Sequence, residues 1–158
     1  MCGYNLPMSS TYPEQLVAPM RAELTRLGVE ELKSAEDVDA AVSTTDGTLM
    51  IVVNSICGCA AGKARPAVAM ALQHAVKPAR VATVFAGADV EATNRARSYF
   101  TGYPSSSPCI AFLRGGKLQF ILERRNIENQ TAEQIAEELT RAFDTYCGTD
   151  AAQAPPLT

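Results

Sequence analysis

An apolar strand that runs directly into a Cys-Gly-Cys motif and then into an alanine-rich helix restricts the fold of this chain most. Residues Thr48 to Val53 are almost entirely apolar, as in strands that are buried on both faces of a parallel sheet. Cys57-Gly58-Cys59 follow, and the stretch from Ala60 to about Val76 has helical periodicity. We therefore predict a parallel β-α-β unit with both cysteines at the carboxyl end of its first strand.

Hydrophobic periodicity and turn residues predict the other elements. The order is helix, short strand, helix, strand, helix, strand, helix, hairpin and helix. This order indicates an α/β fold, with a central mixed sheet, a parallel β-α-β part, a C-terminal antiparallel hairpin and helices on both faces. Besides those already named, the predicted landmarks are a helix over Pro13–Leu27 ended by Gly28, a strand within Val29–Leu32, a helix capped by Ser34, a strand over Arg80–Phe85, a helix from Asp89 to about Tyr99, strands over Cys109–Leu113 and Lys117–Leu122 joined at Gly115-Gly116, and a helix capped by Thr131.

Length and composition indicate one globular domain. The 158 residues are 47% hydrophobic, and we place the domain at 12–147, between a flexible leader at 1–11 and a disordered tail at 148–158. The net charge of −3 argues against a nucleic-acid partner. No run approaches the ~18 apolar residues of a membrane span, and the N-terminus lacks the pattern of a secretory signal. Together with the odd count of five cysteines, this favours a cytoplasmic protein rather than a secreted disulfide scaffold.

The predicted position of the two cysteines suits thiol–disulfide exchange. A helix N-terminus carries about half a positive charge and unpaired amides, which stabilise a thiolate. We expect Cys57 to be the nucleophile and Cys59 to be the resolving thiol. On a regular helix the side chains of residues i and i+2 point in nearly opposite directions, so the pair must lie in the loop or first turn, where Gly58 supplies backbone freedom. A disulfide across one residue closes a tight, strained ring that is more easily reduced. This predicts a comparatively oxidising couple.

Two other interpretations of the cysteines stay open. Cys57, Cys59 and Cys109 together offer thiolate ligands for zinc, copper(I) or an iron–sulfur cluster. No further Cys/His cluster supports this reading, and the single histidine, His74, is predicted far along the helix. We therefore predict no metal. The other reading is a non-catalytic interaction module on the same fold.

Several further residues are candidates for supporting the site. Pro108 follows a polar loop just before a strand, where a cis bond is possible. Cys109 is either a core residue or a third thiol facing Cys57. Arg65 either steers an anionic thiol substrate or is solvated surface. Pro66 should kink the active-site helix, because its bond to the Gly62 carbonyl is lost. Cys2 lies in the leader, and Cys147, at the end of the last helix, is either an extra resolving thiol or a spare one.

The segment Asn54 to Ala67, which contains Ser55 and the Cys-Gly-Cys motif, closely resembles the active-site segment of the bacilliredoxins. The resemblance spans roughly Tyr12 to Cys147, and its other matching stretches are Val84–Asp89, Tyr99–Tyr103, Ser106–Pro108 and Ala142–Cys147. Cys109 departs from the family pattern, in which a serine or another small polar residue is expected.

This resemblance implies a thioredoxin-like fold and a thiol–disulfide oxidoreductase that removes bacillithiol from mixed disulfides on cytosolic proteins. By analogy, Cys57 attacks the mixed disulfide and becomes bacillithiolated, and Cys59 or a second bacillithiol restores it. Bacillithiol is then a co-substrate, and no bound cofactor is implied. Pro108 matches the cis-proline beside the thiol, and Ser55, Gly58, Cys109 and Arg65 are expected to support the site. A general disulfide reductase or isomerase is the alternative if the source organism lacks bacillithiol.

Overall fold

A computed structural model describes residues 12–148. The predicted leader at 1–11, with Cys2, lies outside the described residues. The predicted tail does as well, apart from Gly148.

Five strands form one mixed sheet in the order β1-β3-β2-β4-β5. The β1, β3 and β2 strands are parallel, whereas β4 is antiparallel to both β2 and β5. Gly115 and Gly116 connect β4 to β5, and both have the positive φ that a tight hairpin turn requires. The predicted mixed sheet with a parallel part and a C-terminal hairpin is therefore confirmed. The strands are β1 (Glu30–Glu31), β2 (Thr48–Asn54), β3 (Arg80–Phe85), β4 (Cys109–Arg114) and β5 (Lys117–Leu122).

Helices cover both faces of the sheet. They are α1 (Glu14–Thr25), α2 (Ala35–Thr44), a π-helical turn (Ala60–Ala64) that leads into α3 (Arg65–Ala71), α4 (Val90–Ser98), α5 (Arg124–Glu128) and α6 (Ala132–Tyr146). The sequence patterns did not predict α5. Among the described residues, no helix is long and apolar enough to cross a membrane.

Side chains of the central strand β2 alternate between two hydrophobic layers, because successive residues of a strand point to opposite faces. Met50 and Val52 belong to the first core layer, which is completed mainly by residues of α3, α6 and β4. Leu49, Ile51 and Val53 belong to the second core layer, which is completed by α2, α4, β3 and the other face of β4. All five side chains are buried, so β2 lies in the middle of the molecule and its carboxyl end is held firmly from both sides.

Two prolines lie within helical segments. Pro19 lies inside α1 without ending it. Pro66 does not break the active-site helix, because the π-helical turn directly precedes it and Arg65 N–H bonds to Ala60 O. In an ordinary α-helix the ring of Pro66 would clash with the Gly62 carbonyl, four residues earlier. The wider π-helical turn changes the backbone hydrogen bonds at this point. The expected helix to about Val76 also stops earlier, at Ala71.

The helices α2 and α4 begin directly after the predicted cap residues, but only α2 uses the expected cap. Ser34 Oγ accepts a hydrogen bond from Asp37 N–H at 3.0 Å, which caps α2. Asp89 occupies the N-cap position of α4 but makes no side-chain cap. Its carboxylate is instead bound to the buried Arg21 at 2.7 Å. An ion pair between elements therefore replaces the local cap.

Candidate active site

The cysteine motif forms the junction between β2 and the following helix. Ser55 and Ile56 turn the chain away from the sheet, and Gly58 and Cys59 already have helical conformation. Both Ala60 N–H and Ala61 N–H donate to the Cys57 carbonyl at 3.1 Å. The motif thus lies at the carboxyl end of a central strand and at the start of a helix, as the sequence predicts.

Cys57 is partly exposed, and its surroundings favour the thiolate. Partial burial raises the pKa of the Cys57 thiol, but the Ser55 hydroxyl, the backbone N–H groups of Ala60 and Cys59, and the positive charge of Arg124 lower it. The net direction is downward from the ordinary value. Because the thiolate is the attacking species in disulfide exchange, this site supplies what a nucleophilic cysteine needs.

Ser55 is itself fixed in this position. Its side chain is buried, and its Oγ accepts the Cys57 N–H at 3.2 Å. Its own N–H donates to Asn54 Oδ1 at 2.9 Å. These bonds set the turn that leads into the motif and hold the hydroxyl next to the sulfur.

Arg124 is a charged group of the site that the sequence patterns did not reveal. Its Nη2 lies 4.0 Å from Cys59 Sγ, and its Nη1 donates to the Ser107 carbonyl at 3.3 Å. Its helix, α5, begins with a capping box in which Glu123 and Asn126 exchange hydrogen bonds. The spacing of Glu123 and Asn126 was the available signal, but a Glu-x-x-Asn cap differs from the usual Ser/Thr-x-x-Glu pattern.

The predicted cis bond is present between Ser107 and Pro108. Pro108 is buried directly before β4, and β4 pairs with β2, with Cys109 opposite Val53. The loop before it forms one wall of a cleft of about 440 Å³, whose other wall is α5. The cleft is lined by Gly102, Tyr103, Pro104, Ser106, Glu123, Arg124, Arg125 and Glu128.

Cys109 is a core residue rather than a third thiol of the site. It is 2% exposed and belongs to the second core layer, whereas Cys59 packs against the first. Burial raises the pKa of the Cys109 thiol to about 12. The expectation that Cys109 supports the active site is therefore wrong on geometry, since strand alternation directs it to the opposite face of the sheet.

The same placement removes the metal-site alternative that joined Cys57, Cys59 and Cys109. Within residues 12–148, no group of three or more His, Cys, Asp or Glu side chains is arranged to hold a metal ion. His74 lies on the surface, where its Nε2 is 2.9 Å from Asp144 Oδ1. Cys147 is fully buried in the first core layer at the end of α6, where a resolving thiol would be out of reach of solvent.

Arg65 is neither solvated surface nor a guide for substrate. It is only 3% exposed, and its guanidinium donates to Asn54 Oδ1 at 2.8 Å and to the Ser55 carbonyl at 2.9 Å. Its Nε also pairs with Glu23 of α1 at 2.8 Å. Arg65 therefore fixes the end of β2 and the turn that leads into the cysteine motif.

Comparison with known proteins gives the family. The Disulphide isomerase family matches residues 12–147. A bacilliredoxin of Koribacter versatilis is 61% identical over 140 residues, which cover 89% of this chain and 97% of the relative. A bacilliredoxin of Geobacillus kaustophilus is 48% identical over 138 residues, covering 87% of this chain and 95% of the relative.

Solved structures agree on the fold. The oxidised thioredoxin of Plasmodium falciparum matches with a TM-score of 0.50 and 12% identity, covering 75% of this chain and 98% of that one. A chain from a study of thiol resolution in yeast mitochondrial 1-Cys peroxiredoxin matches with a TM-score of 0.51 and 14% identity, covering 74% and 94%. With the family match, these findings show that the chain belongs to the Disulphide isomerase family, is similar to bacilliredoxins over most of its length, and is a thiol–disulfide oxidoreductase of thioredoxin-like fold.

Proposed function

We propose that this protein removes bacillithiol from mixed disulfides on cytosolic proteins. The observation that carries the proposal is the lowered pKa of Cys57, which is partly exposed after the carboxyl end of β2 and is followed two residues later by a second thiol, Cys59. The bacilliredoxin name of its relatives supplies the substrate class. The proposed partners are S-bacillithiolated proteins and the low-molecular-weight thiol itself.

The chemistry proceeds in two exchanges. The Cys57 thiolate attacks the bacillithiol sulfur of the mixed disulfide, a new S–S bond forms, and the client protein leaves as a thiolate that takes a proton from water. The Cys59 thiolate then attacks Cys57 Sγ and displaces bacillithiol, which leaves a Cys57–Cys59 disulfide. A thiol reductant supplies the two electrons that return both cysteines to thiols. Alternatively, a second bacillithiol attacks the adduct and leaves as the bacillithiol disulfide.

A trapping experiment tests this assignment. A Cys59→Ser chain incubated with a bacillithiolated client is expected to accumulate bacillithiol on Cys57, detected by mass spectrometry of the peptide that contains Cys57. The matched Cys57→Ser chain keeps Cys59 and is expected to release no client thiol. Client release by Cys57→Ser at the parent rate would contradict the proposal.

The family description favours one competing function, that of a general disulfide reductase or isomerase. The same trapping variant separates the two functions when it is offered a glutathionylated client and a scrambled-disulfide client in parallel. Preference for the bacillithiolated client supports the narrower function. Equal rates on all three clients would support the broader one.

A further inference from the structure

Arg124 is fixed across the mouth of the active site although its side chain is exposed. Its Nε donates to Glu128 Oε1 at 3.2 Å, its backbone N–H donates to Ser106 Oγ at 3.3 Å, and its Nη1 reaches the Ser107 carbonyl at 3.3 Å. Its remaining terminal nitrogen, Nη2, is the one that lies 4.0 Å from Cys59 Sγ. The guanidinium is thereby held between α5, the loop before Pro108 and the cysteine pair.

The α5 helix is in turn attached to the active-site helix. Lys63 Nζ, from the π-helical turn, donates to the Glu128 carbonyl at 2.7 Å. Ile127 is fully buried in the first core layer, against which Cys59 also packs. The position of the Arg124 charge therefore follows from the packing of α5 and does not depend on a freely moving side chain.

We propose that Arg124 is the cation of the active site and that its charge, held 4.0 Å from Cys59 Sγ, stabilises the nucleophilic thiolate of Cys57. The inference rests on the proposed function, because it assigns a charge partner to the same two sulfurs. A guanidinium keeps its charge at all working pH values, so Arg124 donates and accepts no proton during the reaction. Its positive charge lowers the free energy of the thiolate relative to that of the neutral thiol.

Electrostatics at the site agree with this geometry. Partial burial raises the pKa of Cys57, and the Arg124 charge is among the groups that lower it. The pKa of the Arg124 guanidinium is raised, first by its hydrogen bond to Glu128 and then by Cys57 and Cys59. The adjacent Arg125 instead pairs with Glu123 at 3.2 Å, so it provides a matched control on the same helix.

The test is the rate at which iodoacetamide alkylates Cys57 in the full chain, followed by site-resolved mass spectrometry from pH 5 to pH 10. Arg124→Gln is expected to slow alkylation about two- to fivefold at acidic and neutral pH, a modest effect because Arg124 is exposed and water screens its charge. Once the Cys57 thiol is fully ionised, the variant and the parent should react at the same rate. Arg125→Gln should follow the parent profile. Arg124→Lys, which keeps the charge, should retain most of the parent rate, and thermal melting confirms that each variant is folded.

Three results would overturn the inference: an Arg124→Gln profile equal to the parent, an Arg125→Gln profile slowed as much, or Arg124→Lys as slow as Arg124→Gln. None of these measurements uses bacillithiol. A parent profile with the midpoint of an ordinary thiol, at pH 9.0, would count against the proposed function itself. A low parent midpoint that Arg124→Gln leaves in place would refute only the role of Arg124.

Discussion

Cys57 and Cys109 show how strongly the surroundings of a residue decide its chemistry. Cys57 sits at a helix start next to a hydroxyl, backbone N–H groups and a guanidinium, and its pKa is lowered despite partial burial. Cys109 lies among apolar side chains, and burial raises its pKa. The residue type is the same in both places. Only the first environment offers donors to a negative sulfur, so only Cys57 is suited to attack a disulfide at neutral pH.

Ser55 is the residue whose side chain lowers the pKa of Cys57 most, and its loss should be measurable. Ser55→Ala removes the hydroxyl, raises the pKa of Cys57 and should slow its alkylation at pH 7 about two- to tenfold. At pH values above the midpoint the difference should vanish. Alkylation kinetics against pH measure this, with Ser98→Ala on the exposed face of α4 as the control. A Ser55→Ala profile that overlies the parent would contradict this assignment.

At the scale of elements, the parts with strong local signals were predictable. The β5 strand begins and ends at the predicted residues, and the turn at Gly115-Gly116 is present because paired glycines supply the positive φ of the hairpin. Thr131 caps α6 as predicted, and the structure shows a full capping box in which Gln134 is its partner. The junction that carries Cys57 was predictable for a similar reason, since an apolar run followed by an alanine-rich segment gives both elements and their order.

Parts that depend on distant contacts were not predictable. The α5 helix has five residues, too few for a periodic pattern, and its place beside Cys59 arises from packing of Ile127 in the core. Arg65 looks like a surface residue in the sequence, because nothing local shows that Asn54 and Glu23 will surround it. Likewise, the face to which Cys109 points depends on the pairing of β4 with β2.

The cap of α6 gives a prediction at this scale. Thr131 Oγ1 accepts the Gln134 N–H at 3.1 Å, and Gln134 Oε1 accepts the Thr131 N–H at 2.9 Å. Thr131→Ala should lower the free energy of unfolding by about 1 kcal/mol, because one of the first N–H groups of α6 loses its partner. Urea denaturation measures the change. Thr145→Ala, in the last turn of the same helix, removes a hydroxyl bound to the Arg141 carbonyl and should cost much less. Equal losses would show that the cap contributes nothing specific.

Within residues 12–148, the sheet lies between two large apolar layers, and the cysteine motif lies at one end of this sheet. The cysteine motif leaves the end of β2, the strand whose side chains fill both layers. The active-site helix and α5 then pack on the first layer, which brings Arg124 to Cys59. Cys109 faces the second layer at the same end of the sheet. The pairing of β4 with β2 thus places Cys109 in the core, apart from the reactive thiol of Cys57.

This separation predicts how stability depends on pH. The pKa of Cys109 is raised from 9.0 to about 12, mainly because burial penalises its thiolate. The attraction to Arg97 lowers the pKa by a smaller amount, and the repulsion from Glu123 raises it by less again. Below pH 9 both the folded and the unfolded chain keep this thiol protonated. Between pH 9 and pH 12 only the unfolded chain ionises, so it binds fewer protons and the free energy of unfolding falls as the pH rises.

At pH 10 the loss from Cys109 alone should be about 1–2 kcal/mol. Cys109→Ala adds a packing loss that is independent of pH, but it removes the ionisable thiol and should therefore flatten the decline between pH 8 and pH 10, as measured by urea denaturation at each pH. Val84→Ala opens a cavity in the same core layer without removing an ionisable group, so its stability should fall in parallel with the parent. If Cys109→Ala also ran parallel to the parent, Cys109 would have to ionise within the folded protein, and its burial in the second core layer could not be as tight as the structure has it.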